Sequence, residues 1–194
     1  LSGLDISTIK TLPPSRIPVT TSTLSNSKRD ALIKRIQNAI TNDSQVYWVC
    51  PLIEESDNEL TGIGELEKIL EKEFSKTDYE IIHGKMKDEE KRGIIKNFKE
   101  CKTKILLSTT VIEVGIDVPD ANIIVIENAE RFGLSQLHQL RGRVGRGAKE
   151  SFCILMHNES LSDISKERLR IIKETSDGFK IAESDLKLRG PGDI

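Results

Sequence analysis

The sequence predicts an α/β fold, a three-layer sandwich in which a mostly parallel sheet lies between two layers of helices, followed by a C-terminal helical hairpin. Short apolar runs alternate along the chain with amphipathic stretches of helical period, an order typical of parallel sheets covered on both faces. The last part of the chain instead carries two consecutive helical patterns. The 194 residues are enough to bury one substantial core.

Five apolar runs predict the buried strands. Each run is short, rich in aliphatic or aromatic side chains, and bounded by polar residues. The runs are Val46–Cys50, Tyr79–Ile82, Ile105–Leu107, Ile123–Ile126 and Phe152–Leu155. A further short strand is predicted over residues 17–23.

The helices between these strands are predicted from apolar residues three and four apart and from capping side chains. Ser27 is expected to cap a helix that ends near Ile40, and Asp88 is expected to cap a helix over the residues that follow it. Further helices are predicted over residues 65–74 and 135–143.

The chain divides into three predicted parts. They are an entry linker over residues 1–26, the α/β domain over residues 27–158, and a truncated helical hairpin over residues 159–194. The first part is rich in Ser, Thr and Pro, a composition that does not make its own core. The hairpin helices are expected over residues 162–176 and 179–187. They join at Asp177-Gly178, where glycine can end the first helix in the left-handed conformation.

The charge of the chain is nearly balanced but unevenly distributed. Lys plus Arg is 29 and Asp plus Glu is 31, so the total charge of −2 does not indicate a nucleic-acid partner. Residues 131–149 nevertheless contain five basic residues and no acid. This end of the molecule is therefore a candidate anion site.

The cysteine pattern argues against a disulfide framework and against a zinc site. The three cysteines lie far apart, and none forms a Cys-x-x-Cys pair. Cys50 and Cys153 lie inside apolar runs and are predicted to be buried. A reducing cytoplasm fits this pattern, and no apolar stretch is long enough to span a membrane.

The strongest candidate for chemistry is the arginine-rich segment over residues 136–147. Arg141, Arg143 and Arg146 are separated by glycines that let a ligand or a neighbouring chain approach the backbone. A guanidinium matches phosphate oxygens and can stabilise the charge on a transferring phosphoryl group. The alternative interpretation is a basic surface turn that pairs with acids.

The second candidate segment covers residues 108–119. Thr109 and Thr110 follow a predicted strand, where hydroxyls can bond phosphate oxygens. Gly115 permits a tight turn, and the Asp117 carboxylate can accept hydrogen bonds from ribose. In the alternative, a threonine caps a helix and Asp117 caps the turn before proline. Ligands of open parallel sheets bind beyond the carboxyl ends of the strands. We therefore expect the informative residues, including His83, to lie just after strands.

Together the two segments resemble known motifs. Residues 109–119 (TTVIEVGIDVP) resemble motif V of superfamily 2 helicases, and the pattern from Gln139 to Arg146 (QLRGRVGR) resembles their motif VI. The resemblance implies a RecA-like domain of the P-loop NTPase type. Further stretches are similar to the RecG family of fork-remodelling DNA helicases, namely residues 47–55, 83–86, 127–134, 177–179 and 188–192. Transcription-repair coupling factors, which share the hairpin and a similar motif VI, are the close alternative.

The resemblance implies a nucleotide site that this chain shares with another domain. Arg143 and Arg146 would act as arginine fingers on the γ-phosphate of ATP. Gln139 would couple the nucleotide state to domain closure. Asp117 would contact the ribose, and Gly115 would shape its loop.

The resemblance also implies residues for DNA binding and movement. Thr109 would bind the DNA backbone, with Thr110 and His83 as further candidates. A His83 ring bonded to nearby backbone is the alternative role for that residue. In the hairpin, Arg168 and Arg189 match positions that would link domain closure to movement of duplex DNA.

One position departs from the superfamily pattern. Many members place an arginine where this chain has Leu140. Arg141 is then a candidate substitute, or the role is absent. Trp48 lies inside a predicted strand and is interpreted as a core residue rather than a base-stacking platform.

The phosphate-binding loop of ATPases does not occur in this sequence. No Gly-x-x-x-x-Gly-Lys-Ser/Thr segment and no magnesium-binding acidic box are found. The resemblance therefore implies that ATP with Mg²⁺ is held by an upstream RecA-like domain, and that the 194 residues alone show no appreciable ATPase activity. The expected partners are branched or forked DNA and that upstream domain, with no membrane. A non-catalytic DNA-binding adaptor with a helicase-like fold remains the alternative from another class.

Overall fold

The computed structural model describes residues 19–51, 60–109, 121–145, 150–176 and 178–189. Within these ranges, six parallel strands form one sheet in the order β1-β6-β5-β2-β4-β3. The strands are β1 Val19–Ser25, β2 Val46–Cys50, β3 Tyr79–Ile82, β4 Ile105–Thr109, β5 Ile123–Ile126 and β6 Ser151–His157. The central strands β2, β4 and β5 are buried along their whole length.

Helices cover both faces of the sheet. They are α1 Arg29–Thr41, α2 Leu60–Glu73, α3 Asp88–Lys99, α4 Leu134–Arg141, α5 Asp163–Glu174 and α6 Gly178–Arg189. Side chains of α1 and α2 pack on one face, and side chains of α3, α4, α5 and α6 pack on the other. The α/β fold with helices on both faces is therefore confirmed, and every strand pair in the described sheet is parallel.

The strand predictions agree closely with the structure. The bounds of β2, β3 and β5 are those predicted, while β4 and β6 extend beyond their predicted ends. The short strand predicted over residues 17–23 is present as β1. It pairs with β6 from Val19↔Ser151 to Ser25↔His157 as an edge of the sheet. The stretch from Val19 onward, which composition assigned to the linker, is thus part of the sheet.

Both predicted helix caps are wrong. The Ser25 side chain accepts a hydrogen bond from the Ser27 backbone N–H and caps a short 3-10 helix, Asn26–Lys28, so that α1 begins only at Arg29. Asp88 is the first residue of α3 rather than its cap, which is Lys87 without a side-chain bond. Asp88 still carries a negative charge in the first turn, where the helix dipole favours it.

The hairpin prediction is correct in outline, but the role of its glycine is not. Helices α5 and α6 occupy the predicted places and pack against each other and against α4. Gly178 does not take a positive φ and is the first residue of α6. Among the described glycines, only Gly145 lies in the left-handed region. None of the helices in the described ranges is long and apolar enough to cross a membrane.

Candidate functional site

The predicted site residues lie at two opposite sides of the sheet, one at the carboxyl ends of the strands and the other at their amino ends. His83 follows β3 and Thr109 ends β4, so both lie at the carboxyl edge of the strands, as predicted. Helix α4 then returns the chain towards the other edge. Beyond α4, the Gly145 N–H donates to the carbonyl of Ala121, just before β5, at 3.1 Å. Arg143 therefore lies near the amino ends of β5 and β6, at the opposite edge from His83.

A hydrogen bond fixes the backbone of Arg143, while its side chain stays available to a ligand. Its N–H donates to the Leu140 carbonyl at 3.0 Å, which continues the last turn of α4. The side chain is half-buried, and no carboxylate of the described residues pairs with it. Gln139, four residues earlier, is exposed on α4. The arginine and the glutamine of motif VI are thus both accessible to a ligand from outside this chain.

Gly145 fixes the turn that carries Arg143. Its φ is +82°, and an added Cβ would lie 2.7 Å from the Val19 Cγ2 and 3.1 Å from the Ser151 Cβ. Only glycine fits such a conformation and such close contact. The turn after α4 is therefore seated against the start of β1 and β6.

Arg141 is turned into the protein and is not available to a phosphate. Its side chain is buried, and its guanidinium donates to the carbonyls of Ile172 at 2.6 Å and Thr175 at 2.9 Å. It also donates to the Thr21 hydroxyl at 3.2 Å. Burial lowers the pKa of the Arg141 guanidinium from its ordinary value. Leu140 is a core residue. Neither Leu140 nor Arg141 is therefore available as the arginine ligand that many members of the superfamily place at position 140.

His138 completes the contact between α4 and the hairpin. Its Nδ1 lies 3.1 Å from the Arg141 Nη2, and since a guanidinium only donates, the imidazole nitrogen accepts. Its Nε2 lies 2.9 Å from the point that a Cβ on Gly178 would occupy. Gly178 is therefore required by close packing at the start of α6 and not by a left-handed helix end.

A buried ion pair closes the carboxyl edge of the sheet. Glu127 follows β5 and is 3% exposed, and both of its oxygens accept from Arg29 at 2.6 Å. Trp48 donates to the same carboxylate at 2.9 Å, so its indole is a core group, as predicted. The hydrogen bonds to Glu127 raise the pKa of Arg29 above its ordinary value. This pair fixes the loop that leads into α4.

The predicted DNA-binding residues differ in their access to solvent. The Lys85 N–H donates to the His83 Nδ1 at 3.3 Å, so the ring is bonded to nearby backbone in the alternative role considered for it. Thr109 is buried, and its hydroxyl has no hydrogen-bond partner among the described residues. DNA binding by Thr109 therefore stays a prediction, since its hydroxyl is buried in this structure. Arg168 lies half-buried on α5.

Several predicted site residues lie outside the described ranges. They are Thr110, Gly115, Asp117 and Arg146, and the side chain of Arg189 is also outside the description although its backbone ends α6. The described part of the chain contains no cluster of His, Cys, Asp or Glu suited to a metal ion.

Sequence reasoning missed the roles of Arg29, His138 and Asp185. Asp185 of α6 is a buried carboxylate that accepts from the Ser135 hydroxyl at 3.4 Å, near the start of α4. Glu127 directly follows an apolar strand, and this position indicates a buried carboxylate. Because a buried carboxylate requires a paired cation, the sequence does contain a signal that Glu127 has a basic partner. The inward orientation of Arg141 had no such signal within a run of arginines.

The comparisons with known proteins define the class of this chain, a helicase C-terminal domain. The chain matches the helicase conserved C-terminal domain over residues 18–148, and it belongs to that family. Among curated relatives, it is 47% identical over 195 residues to the ATP-dependent DNA helicase RecG of Haemophilus influenzae and 46% identical over 195 residues to that of Escherichia coli. Both alignments cover 100% of this chain and 28% of the relative.

A solved structure supports the same relationship. The structure of RecG bound to a three-way DNA junction has a TM-score of 0.77 and 43% sequence identity, covering 94% of this chain and 24% of that chain. The RecG relationship and the RecA-like fold inferred from the motifs are therefore confirmed. The chain spans about 28% of the length of the curated relatives it matches.

Proposed function

We propose that this chain is the second motor domain of an ATP-dependent DNA helicase that remodels branched DNA. The observation that carries the proposal is Arg143, presented on a fixed turn at one edge of the sheet with no carboxylate of the described residues beside it. An arginine so placed can stabilise the charge that develops on a γ-phosphate held by another domain. The RecG relatives support this function over that of a transcription-repair coupling factor.

The nucleotide is shared between two domains in this proposal. An upstream RecA-like domain holds ATP and Mg²⁺, and this chain supplies Arg143 and Arg146 to the γ-phosphate. Gln139 reports the nucleotide state, while Asp117 and Gly115 contact or shape the ribose site.

DNA is bound at the opposite edge, mainly through its backbone. His83 and Thr109 lie at this edge, and the Thr109 hydroxyl is buried in this structure. Thr110 is assigned to the same surface by motif resemblance, while Arg168 and Arg189 of the hairpin transmit closure of the cleft to duplex DNA. Contacts of this kind make binding dependent on salt and largely independent of sequence.

A comparison of two proteins tests the proposal. The full-length protein that contains this chain and the 194 residues alone are each incubated with ATP, Mg²⁺ and a three-way DNA junction. The full-length protein is expected to hydrolyse ATP and separate the strands, while the 194 residues do neither. Junction binding by the full-length protein without ATP hydrolysis would establish the adaptor alternative instead.

A further inference from the structure

Helix α3 presents a row of three basic side chains to solvent. Arg92, Lys96 and Lys99 are four and three residues apart, so they lie one above another on the same side of the helix. All three are exposed, while Ile94 and Phe98 turn another side of α3 into the core. The three side chains are called the basic ridge below.

No carboxylate compensates the basic ridge. Among the described residues, no acid forms an ion pair with any of its three side chains. Like charges three and four residues apart destabilise a helix. The helix dipole favours cations in the last turn of α3, but its effect does not extend back to Arg92. The ridge therefore carries a repulsion that an anion lying across it would relieve.

The length of the basic ridge matches the phosphate spacing of one DNA strand. With a rise of about 1.5 Å per residue, the step of seven residues from Arg92 to Lys99 spans about 10 Å along the helix axis. One strand of duplex DNA carries a phosphate about every 3.4 Å along its axis, so about three phosphates occupy this length. Three cations therefore face about three anions.

A protein partner fits this surface less well than DNA does. The exposed residues of α3 are charged, apart from Gly93. The exposed large hydrophobic side chains of the described residues, Ile164, Phe179 and Leu186, lie on α5 and α6 instead. The centre of a protein interface is rich in aromatic and aliphatic side chains and poor in charges. Contacts with a DNA backbone need only basic or hydrogen-bonding groups.

The basic ridge lies away from the edge to which DNA binding is assigned above. Helix α3 begins after β3, at the carboxyl ends of the strands, and runs back to their amino ends. There the Lys104 carbonyl accepts from the Val46 N–H at 2.8 Å. The last turns of α3 therefore lie along a face of the sheet, towards its amino ends.

We propose that the basic ridge is a second DNA-binding surface, which holds the phosphate backbone of one duplex arm while another arm lies at the carboxyl ends of the strands. This inference rests on the proposed function and adds a contact that a linear duplex does not need. Two sites that engage one substrate together raise its affinity above that of either site. The ridge therefore favours branched over linear DNA, without regard to sequence.

The test is the binding of a three-way junction and of a short linear duplex by the full-length protein, at several salt concentrations and without ATP. The parent is compared with a variant that carries Arg92→Ala, Lys96→Ala and Lys99→Ala. Each lost phosphate contact lowers the slope of log K against log salt by about 0.9. We expect the slope for the junction to fall by about 2–3 and its Kd to rise by about tenfold or more, while the Kd for the linear duplex stays within about threefold.

The matched control removes three exposed lysines from another helix. Lys68, Lys72 and Lys76 are also four residues apart, on α2 and just after it, and they lie among acids. Their replacement by Ala changes the total charge by the same amount, and we expect the slope and Kd of the parent. Equal slopes for the ridge variant and this control would overturn the proposal, as would equal losses on the junction and the linear duplex.

A charge reversal separates binding from folding. Lys96→Glu places an acid between two bases, at spacings that form favourable pairs on a helix. The thermal unfolding midpoint is therefore expected to stay near that of the parent, while junction binding weakens more than in Lys96→Ala. Unchanged junction binding by Lys96→Glu contradicts the proposal. A parent that binds the junction without hydrolysing ATP would instead contradict the motor function, and the comparison of ridge variants would still decide the role of the ridge.

Discussion

Arg29 and Glu127 form a two-bond ion pair that joins the start of α1 to the carboxyl end of β5, with both bonds at 2.6 Å. The carboxylate is 3% exposed and also accepts from Trp48. Both oxygens of the Glu127 carboxylate therefore accept a hydrogen bond. Such an arrangement is costly to break, because Glu127 is buried and Arg29 is only 21% exposed, so either partner alone would keep a poorly solvated charge.

The first prediction concerns this pair. Replacing Glu127 with Ala leaves Arg29 without its counter-charge and Trp48 without its acceptor. We expect the free energy of unfolding to fall by about 3–5 kcal/mol, the range for breaking a buried pair from one side. Urea unfolding of the 194-residue chain measures this change. Glu167→Ala, which removes a surface ion pair with Arg170 on α5, is the control and should change stability by less than about 1 kcal/mol.

The second prediction concerns the turn that carries Arg143. Gly145→Ala adds a methyl group 2.7 Å from the Val19 Cγ2 at a φ of +82°, so it combines backbone strain with a clash. We expect a loss of about 2–4 kcal/mol in stability from these two effects. Gly142→Ala is the matched control within the same motif. Its φ is −72°, and the nearest atom to its added methyl is 3.5 Å away. Similar stability of the two variants would contradict this account of the turn.

The third prediction concerns stability at alkaline pH. Burial raises the pKa of the Cys50 and Cys153 thiols from 9.0 to about 12. Because the folded pKa is raised, each thiol's contribution is fully present below pH 9 and is lost as pH rises towards 12. The linkage relation gives a loss of about 1.4 kcal/mol per thiol near pH 10.

The comparison that isolates this effect uses the change in unfolding free energy between neutral and alkaline pH under reducing conditions. Cys153→Ala should show a smaller decline than the parent, whereas Cys101→Ala, at an exposed position, should decline as the parent does. Identical pH profiles for the parent and Cys153→Ala would refute the assigned cause.

The central sheet could be predicted from sequence because fully buried parallel strands are continuous apolar runs. The bounds of β2 and β5 needed no tertiary information. The sequence predicts a short strand over residues 17–23 but also assigns all of β1 to a linker, because residues 1–26 are rich in Ser, Thr and Pro. The place of β1 is set by pairing with β6, a strand far away in sequence.

The details of the site required the three-dimensional structure for the same reason. Nothing in a run of arginines distinguishes Arg141, whose partners come from α5 and β1, from Arg143, which remains accessible. Gly178 could be interpreted as a helix end because that is the common local reason for glycine. Its actual constraint is His138, which lies on a different helix. Local patterns therefore selected the candidate residues, while contacts distant in sequence determine the surroundings of each one.

The central claim is that Arg143 completes a nucleotide site held by another domain. The most direct test is the DNA-stimulated ATP turnover of the full-length protein carrying Arg143→Ala, at saturating ATP and junction DNA. We predict a loss of about 10³-fold or more, on the scale of arginine fingers. Thermal stability should be unchanged, because no carboxylate of the described residues pairs with this side chain. Turnover within a few fold of the parent would contradict the claim.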